Sequence, residues 1–437
     1  MKTMTGMTQL QDSGVTDVLA MAAGEQARVH GLVHTLRDLG DVRFMLLRMP
    51  QGVLQCVLTG DGPDVREGDA VRAEGEVARD ARAPGGAELH VQALTVLSRA
   101  AEAMPVPIGK NKMNLSMDTD LSLRFVTLRN LRKRTIFKVQ EGVVRGFREA
   151  LEREGFTEIH SPKIVAQNAE GGANLFRMEY FGRRAYLAQS PQFYKQAMVP
   201  VYERVFEIGP VFRAEKHNTQ RHLNEYTSMD FEMGFIESFE DVMQMETKVL
   251  QNIMDVLARD YAPQLRLLGV ELPRVDSIPA VRFDEAKRMV SEKYGRLIRD
   301  PFDLEPEEEQ LISRLFAEEY GSDFVFVTHY PSKKRPFYAA DDPEDPRYTL
   351  SFDLLFRGLE VTTGGQRIHD YAQQVEKLRR KGMDPEDFAG YLMIHKYGTC
   401  PHGGLGLGLE RLTSKLVGEN NVREACLFPR DQQRIEP

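Results

Sequence analysis

The spacing of apolar residues changes character partway along the chain, and no other feature restricts the fold as much. Residues 28–99 carry short runs, "ARVHGLVHTL", "VRFMLLRM", "GVLQCVL", "AVRAEGEVA" and "ELHVQALTVL", bounded by turn signals such as "LGD", "MPQG", "TGDGPD", "REGD" and "RAPGG". From Thr135 the period lengthens. Ile136, Val139, Val143, Phe147 and Leu151 recur at helical spacing, and Gly155 is placed to stop the helix. Between these regimes, "AEAMPVPIGKNKMNLSMDT" has two prolines, a glycine and little apolar periodicity, the marks of a linker.

A chain of 437 residues exceeds one ordinary core, so two or three domains are expected. Five short strands suggest a small barrel, and an OB-fold, which commonly binds single-stranded nucleic acid on one face, is the economical choice. The expected division is an N-terminal extension over 1–24, the OB-fold barrel over 25–100, a linker over 101–120 and a larger domain over 121–437. In the larger domain the long helix runs into "FTEIHSPKIV", a strand that Pro162 confines to an edge. Later strands are bracketed by helices near 239–261, 284–320 and 370–391 without regular alternation. The fold class is therefore α+β, with an antiparallel sheet.

At 42% hydrophobic and 28% charged residues the composition is that of a soluble globular protein, and no apolar run reaches the roughly 18 residues of a membrane span. The N-terminus lacks the pattern of a secretory signal, so a cytoplasmic location is expected. Cys56, Cys400 and Cys426 are far apart and not in metal-ligand spacing, so buried thiols are expected. The formal charge of −8 argues against a general polyanion binder, while leaving room for a local basic face.

The densest charge is "FRAEKHNTQRH", residues 212–222, directly after the apolar "RVFEIGPVF". Alone, such a segment reads as a solvated hairpin tip. The flanking "YTSMDFEMGFI" alternates, with Met229, Phe231, Met233 and Phe235 on one face and Ser228, Asp230 and Glu232 on the other. The charged stretch thus bridges an antiparallel hairpin. Arg213 and Glu215, two apart on an extended chain, offer a cation and an anion to the same cleft, which suits a ligand with both phosphate and base. A second hairpin is read in "SFDLLFRGLEVTTGGQR". If Arg357 and Gly358 make the turn, Leu355 pairs with Glu360, and Asp353 lies diagonal to Glu360 on one face, roughly 7 Å away. Such a sparse carboxylate pair fits magnesium, which completes its shell with water and phosphate oxygens, or it is a chance pairing at a turn. In "HGGLGLGLER", Gly404, Gly406 and Gly408 clear one face of a strand, either for a flat ligand or for a close packing crossing, and Arg411 follows within reach of a phosphate.

Taken in order, "FREALEREGFTEIHSPK", FRAE with its long loop, and GLGLGLER resemble the three signature motifs of the class II aminoacyl-tRNA synthetases. Within that class, "YLAQSPQFYKQ", "RHLNEYTSMDFEMGF", "SFDLLFRGLEVTTGGQRIH" and "NVREACLFPRD" closely resemble the aspartyl-tRNA synthetases. The short spacing between FRAE and GLGLGLER resembles the archaeal-type form. The resemblance covers nearly the whole chain and implies attachment of L-aspartate to tRNA, using ATP and passing through an aspartyl-adenylate, with Mg2+ as the metal.

It also implies roles. Arg213 would contact the α-phosphate and the substrate carboxylate, Arg411 the far end of ATP, and Glu215 the adenine amine. Arg221, His222 and Leu223 would clamp the nucleotide, with Gly408 and Glu410 in the same site. Asp353, Glu360 and Thr363 would hold magnesium or its water. Aspartate would be met by Glu170, Ser190, Gln192, Lys195, Arg213, Thr363 and Arg367. Lys195 and Arg367 would face its side-chain carboxylate and reject the neutral amide of asparagine. In the barrel, Arg37, Phe44 and Gln55 match the anticodon-reading face; Phe44 taken alone reads more readily as barrel core, and the resemblance reverses that. The long helix corresponds to the family's dimer-forming motif, which implies a homodimer.

Two positions depart from the aspartate-only pattern. His34 stands where tryptophan is usual and Pro84 where lysine is usual, which implies relaxed reading of the third anticodon base. The expectation is an enzyme that charges both tRNA(Asp) and tRNA(Asn), the latter for an amidotransferase. The alternatives are an enzyme restricted to tRNA(Asp), an asparaginyl-tRNA synthetase, against which Lys195 argues, an aspartate–ammonia ligase, which has no use for a barrel, and a non-catalytic tRNA-binding paralogue.

Overall fold

The computed structural model describes residues 12–60, 62–166, 175–216 and 219–436. The chain divides into two compact units, Met1–Arg134 and Thr135–Pro437.

In the first unit, β1 (Gln26–Asp38), β2 (Val42–Met49), β3 (Gly52–Thr59), β4 (Ala70–Arg79) and β5 (Ala87–Ser98) close into a barrel of order β1-β2-β3-β5-β4. Closure leaves no open edge. Alternate residues such as Val29, Met45, Leu47, Leu54, Cys56 and Val71 fill the interior, and α1 (Val15–Ala20) adds Val15 and Val18 to it. Burial pushes the Cys56 thiol up to about 12, which makes it inert, whereas Cys400 and Cys426 are only half-buried, contrary to the expectation for them. The segment read as a linker has neither helix nor strand before α2 (Met117–Ser122) and α3 (Arg124–Thr127). It is nonetheless packed, because Val106, Ile108 and Met113 form a small buried cluster.

The second unit is built on an eight-stranded sheet of order β12-β13-β14-β15-β16-β11-β10-β6. Its strands are β6 (Thr157–Glu158), β10 (Arg204–Phe212), β11 (Glu225–Gly234), β12 (Ala280–Arg282), β13 (Phe324–Thr328), β14 (Ser351–Phe356), β15 (Leu359–Gln366) and β16 (His402–Gly408). The sheet is mixed rather than purely antiparallel, since β6 runs parallel to β10 and β12 parallel to β13 at its two edges. The remaining strands, β7 (Ile164–Val165), β8 (Arg177–Tyr180) and β9 (Arg183–Leu187), make a separate three-stranded sheet.

One face of the large sheet is sealed by α4 (Leu131–Arg153), α6 (Phe239–Asp260) and α12 (Leu409–Leu416). Met229, Phe231 and Met233 point into this core, as the alternation requires. Phe235 does not: it lies beyond the strand, 71% exposed with φ +56°, so the apolar face ends at Met233. In α4, Ile136, Val139, Val143 and Phe147 are buried in the chain's own core. Gly146 lets α6 approach, because a Cβ there would lie 2.7 Å from the Ile253 Cα.

On the other face, α8 (Phe283–Tyr294) and α9 (Pro306–Tyr320) cover the β13–β14 end through Val325, Val327 and Leu355. Toward β11 and β16 that face opens into a cleft. The other helices, α5 (Gln192–Tyr202), α7 (Ala262–Leu268), α10 (Tyr371–Arg380) and α11 (Ala389–Lys396), complete the unit.

Candidate functional site

The cleft has a volume of about 420 Å³. Within the second unit, every candidate residue among the described ones lines it: Ser190, Gln192, Lys195, Arg213, Glu215, Arg221, His222, Leu223, Asp353, Glu360, Thr363, Arg367, Gly408, Glu410 and Arg411. Glu170 lies outside the described residues.

The charged hairpin begins as expected. β10 and β11 pair antiparallel from Arg204↔Met233 to Phe212↔Glu225, and the ladder extends one bond further, from Arg213 N–H to Asn224 O at 2.9 Å. Arg213 and Glu215 are not on an extended strand, however. Glu215 N–H donates to Arg213 O at 2.8 Å, a tight turn that follows the strand end, yet both side chains reach the cleft. The Arg213 guanidinium lies over the Tyr226 ring, 5.6 Å from its centroid. Burial and the neighbouring Arg411 hold His222 below the ordinary imidazole range, which keeps it neutral near pH 7.

The second hairpin turns at Arg357 and Gly358, both with positive φ (+46° and +81°), and pairs Leu355 with Glu360 as read. A bulge between Leu354 and Leu355 then shifts the register, so that Thr363 rather than Thr362 stands opposite Asp353. The Thr363 hydroxyl donates to Glu360 Oε1 at 3.1 Å. Neither carboxylate is bare. Arg335, which the sequence reading missed, places Nη2 2.8 Å from Asp353 Oδ1 and stacks on Tyr330, and Arg411 Nη1 lies 3.5 Å from Glu360 Oε1. Burial raises the Asp353 pKa against the pull of Arg335. Burial opposes ionisation of Glu360 too, but Arg411, Arg335 and Arg213 more than offset it and hold it below the usual range. Among the described residues no three acidic, histidine or cysteine side chains converge as a metal cage. Two carboxylates and a hydroxyl are nevertheless the donor set magnesium accepts when phosphate oxygens and water supply the rest.

At the cleft's inner end, charges alternate in sign. Lys195, 1% exposed on α5, donates to Asp230 Oδ1 (3.0 Å) and Leu405 O (2.8 Å) and lies 3.4 Å from Glu232 Oε2. Arg367 donates to Glu232 Oε1 (2.9 Å) and Gly404 O (2.8 Å). The two expected cations are therefore interleaved with two buried acids that the sequence reading placed on a strand face but did not assign to the site. Burial opposes the charge on Glu232, and Arg367 and Lys195 overcome that cost. Asp230 Oδ2 and Gln192 Nε2, on two residues that line the cleft, are buried without hydrogen-bond partners among the described residues, an acceptor and a donor left unsatisfied.

The glycine repeat divides its work. A Cβ at Gly404 would fall 2.2 Å from Glu232 Oε2 and 2.2 Å from Phe231 O, so this glycine makes room for the acid. A Cβ at Gly406 would sit 3.0 Å from Asp230 Oδ1, whereas at Gly408 it would meet only the Arg411 side chain at ordinary distance. Glu410 accepts Thr227 N–H with both oxygens at 3.1 Å, and burial pushes it up to about 7.

On the barrel, Arg37 pairs with Phe44, and Gln55 is next but one to Val57, the partner of Phe44 on β3. All three sit on the outer face. Phe44 is half-buried and not part of the barrel core, and Gln55 donates to Glu88 at 2.6 Å. His34 is not presented outward. It is buried beside the bulge between Val33 and Thr35, 1% exposed with Arg48 Nη1 at 3.4 Å, and burial with Arg48 and Arg134 pushes it down to about 4. Pro84 opens a half-buried turn between β4 and β5.

A closed barrel paired with a mixed sheet whose open face carries arginines, a carboxylate pair and a glycine strand defines a class II aminoacyl-tRNA ligase. Residues 116–432 match the family model described as tRNA synthetases class II (D, K and N), and residues 27–97 match an OB-fold nucleic acid binding domain. The chain belongs to the class II tRNA synthetase family for D, K and N. It is 48% identical to the aspartate–tRNA(Asp/Asn) ligase of Deinococcus radiodurans, over 99% of this chain and all of that protein. It is 49% identical to the enzyme of the same name from Thermus thermophilus, over 95% of this chain and 97% of the relative. Its fold is also similar to the crystal structure of asparaginyl-tRNA synthetase from Pyrococcus horikoshii complexed with asparaginyl-adenylate, with TM-score 0.90, 31% identity, and coverage of 98% and 100%. Among the described residues no helix is long and apolar enough to cross a membrane.

Proposed function

We propose that the chain joins L-aspartate to ATP, forming aspartyl-adenylate and pyrophosphate, and transfers the aspartyl group to tRNA(Asp) and tRNA(Asn). The observation that carries this reading is the buried end of the cleft, where Lys195 and Arg367 are fixed by Asp230 and Glu232. A neutral amide would gain little from this arrangement, whereas a carboxylate brings the charge that two oriented cations favour.

The substrate carboxylate oxygen attacks the α-phosphorus while the bond to the pyrophosphate oxygen breaks, and the pyrophosphate carries away the electron pair. The chain needs no nucleophile of its own, so rate comes from alignment and charge compensation. Arg213 bridges the approaching carboxylate and α-phosphate, and Arg411 and Arg221 hold the outer phosphates. Glu215 accepts from the adenine amine, with Leu223 and neutral His222 against the nucleotide and Gly408 and Glu410 at its edge. Asp353 and Glu360, with Thr363, would hold Mg2+, which when bound neutralises phosphate charge. Asp230 Oδ2 and Ser190 receive the amino end of aspartate, Gln192 Nε2 donates to a carboxylate oxygen, and Glu170 is assigned to the same amino acid. In the second step the terminal ribose hydroxyl attacks the aspartyl carbonyl and AMP leaves.

Arg37, Phe44 and Gln55 are the proposed anticodon contacts of a domain spanning 25–100, joined through 101–120 to a catalytic domain over 121–437. A homodimer acting in the cytoplasm, and an amidotransferase that receives aspartyl-tRNA(Asn), belong to the same reading. The names of the two relatives and the replacements at His34 and Pro84 favour charging of both tRNAs. His34, being buried against Arg48, would act by letting Arg48 settle rather than by touching a base.

Pyrophosphate exchange with each amino acid, followed by charging of the two purified tRNAs separately, tests the reading. Exchange driven by aspartate and aspartylation of both tRNAs are expected. Exchange driven by asparagine instead refutes the substrate, and tRNA(Asn) charging at background refutes the dual specificity.

A further inference from the structure

Glu309, on α9 and outside every motif recognised in the sequence, closes a ring of polar contacts behind the nucleotide end of the cleft. Its Oε2 accepts from the Arg221 guanidinium and from the Glu360 backbone N–H at 3.0 Å. Across the ring, Arg411 Nη1 donates to Glu360 O at 2.9 Å, and Arg411 Nε donates to Arg221 O at 3.4 Å. Four segments distant in sequence, the charged hairpin loop, α9, β15 and α12, are thereby tied through two arginines and two glutamates. Arg221 Nε is buried without a hydrogen-bond partner, so one edge of that guanidinium is held by Glu309 while another remains to be satisfied within the cleft.

Glu360 balances Arg411, 3.5 Å away, but Arg221 also stands beside Arg411, and without Glu309 behind it the repulsion between the two guanidiniums would be opposed by that one carboxylate less directly. A long arginine left to itself also spreads over many rotamers, and ordering it on binding costs affinity. Glu309 removes both costs before ATP arrives. Because the same oxygen grips the backbone of Glu360, it sets the arginine and the carboxylate strand at a fixed separation.

We propose that Glu309 is a positioning residue for nucleotide binding: it pre-orients Arg221 for the outer phosphates of ATP and registers it against the strand that carries Glu360. This rests on the reading of the cleft as an ATP site, and it says nothing of the amino acid end.

The test uses the full-length protein and the variants Glu309→Gln and Glu309→Ala. Mg-ATP binding is measured by calorimetry, and KM and kcat by pyrophosphate exchange. Hydrogen bonds to charged groups of this kind correspond to a change of roughly tenfold or more in affinity. Glu309→Gln, which keeps the shape and loses the charge, is expected to weaken ATP at least about fivefold, with Glu309→Ala weaker still. KM for aspartate is expected to stay within about twofold of wild type, because the contacts of Glu309 are all at the nucleotide end. On an Arg221→Ala background, Glu309→Gln should add less than about twofold, since the arginine it orients is gone. A merely structural role predicts the opposite, with equal losses for both substrates and effects that multiply in the double variant. That result overturns the proposal, as does unchanged ATP affinity in Glu309→Gln. If wild type binds ATP but aspartate drives no exchange, the amino acid assignment fails while the calorimetric comparison still decides the role of Glu309.

Discussion

Removing the buried lysine should cost the enzyme its preference for a carboxylate. In Lys195→Met, a side chain of similar length and no charge replaces a cation that lies 3.0 Å from Asp230 and 3.4 Å from Glu232. At an effective dielectric near 20 each contact represents about 5 kcal/mol of attraction, most of it offset by desolvation, and breaking a buried pair typically costs about 3–5 kcal/mol. The inner cleft holds Lys195 and Arg367 against Asp230 and Glu232, so the substitution leaves a net negative charge where the aspartate carboxylate must enter. If about 3 kcal/mol of the loss falls on aspartate, kcat/KM drops by a hundredfold or more. Asparagine brings no charge and should lose far less. Pyrophosphate exchange with the two amino acids measures the ratio directly, and circular dichroism checks that the variant folds. A folded Lys195→Met whose aspartate-to-asparagine ratio stays within threefold of wild type would refute the argument that charge, rather than shape, selects the substrate.

Phe44→Ala should raise KM for tRNA by roughly tenfold while leaving pyrophosphate exchange untouched, since stacking on one base is worth about 1–3 kcal/mol. Equal loss in both assays would mean that the ring supports the barrel instead. Glu246, on α6, is 1% exposed and neither of its oxygens is hydrogen-bonded among the described residues; burial pushes it up to about 8. A carboxyl raised in the folded state favours folding when protonated, so its contribution is complete below the unfolded value near 4.5 and is lost as pH rises toward 8. Wild type should therefore lose about 1 kcal/mol per pH unit relative to Glu246→Gln across that window. Denaturant melts at pH 5.5 and 7.5 that show the same difference between the two proteins would contradict this.

The parts of the site that lie on regular strands were legible in the sequence, because alternation and turn chemistry are local. Met229, Phe231 and Met233 fall on the core face, and Arg357 with Gly358 makes the turn that pairs Leu355 with Glu360. What escaped was set by register and by distance. No glycine or proline announces the bulge that brings Thr363 opposite Asp353, nor the one beside which His34 is buried. Arg335 and Glu309 arrive from a loop and a helix with no motif around them, and only the packing of β13, β14 and α9 brings them to the cleft. Asp230 and Glu232 did carry a signal. Two acids on the face opposite a fully apolar one, beside a strand of alternating glycines, have no water to stabilise them and need buried cations.

The pairing of Gly404 with Glu232 also limits how this cleft can change over evolution. A methyl group on that glycine collides with backbone as well as with the acid, so nothing larger fits at Gly404 while Glu232 remains. Replacing Glu232 alone takes from Arg367 the carboxylate 2.9 Å from it and leaves Lys195 with Asp230 only. A descendant that came to prefer a different amino acid would have to alter both strands at once, or recruit its new selectivity from Lys195, which reaches the acids from a helix.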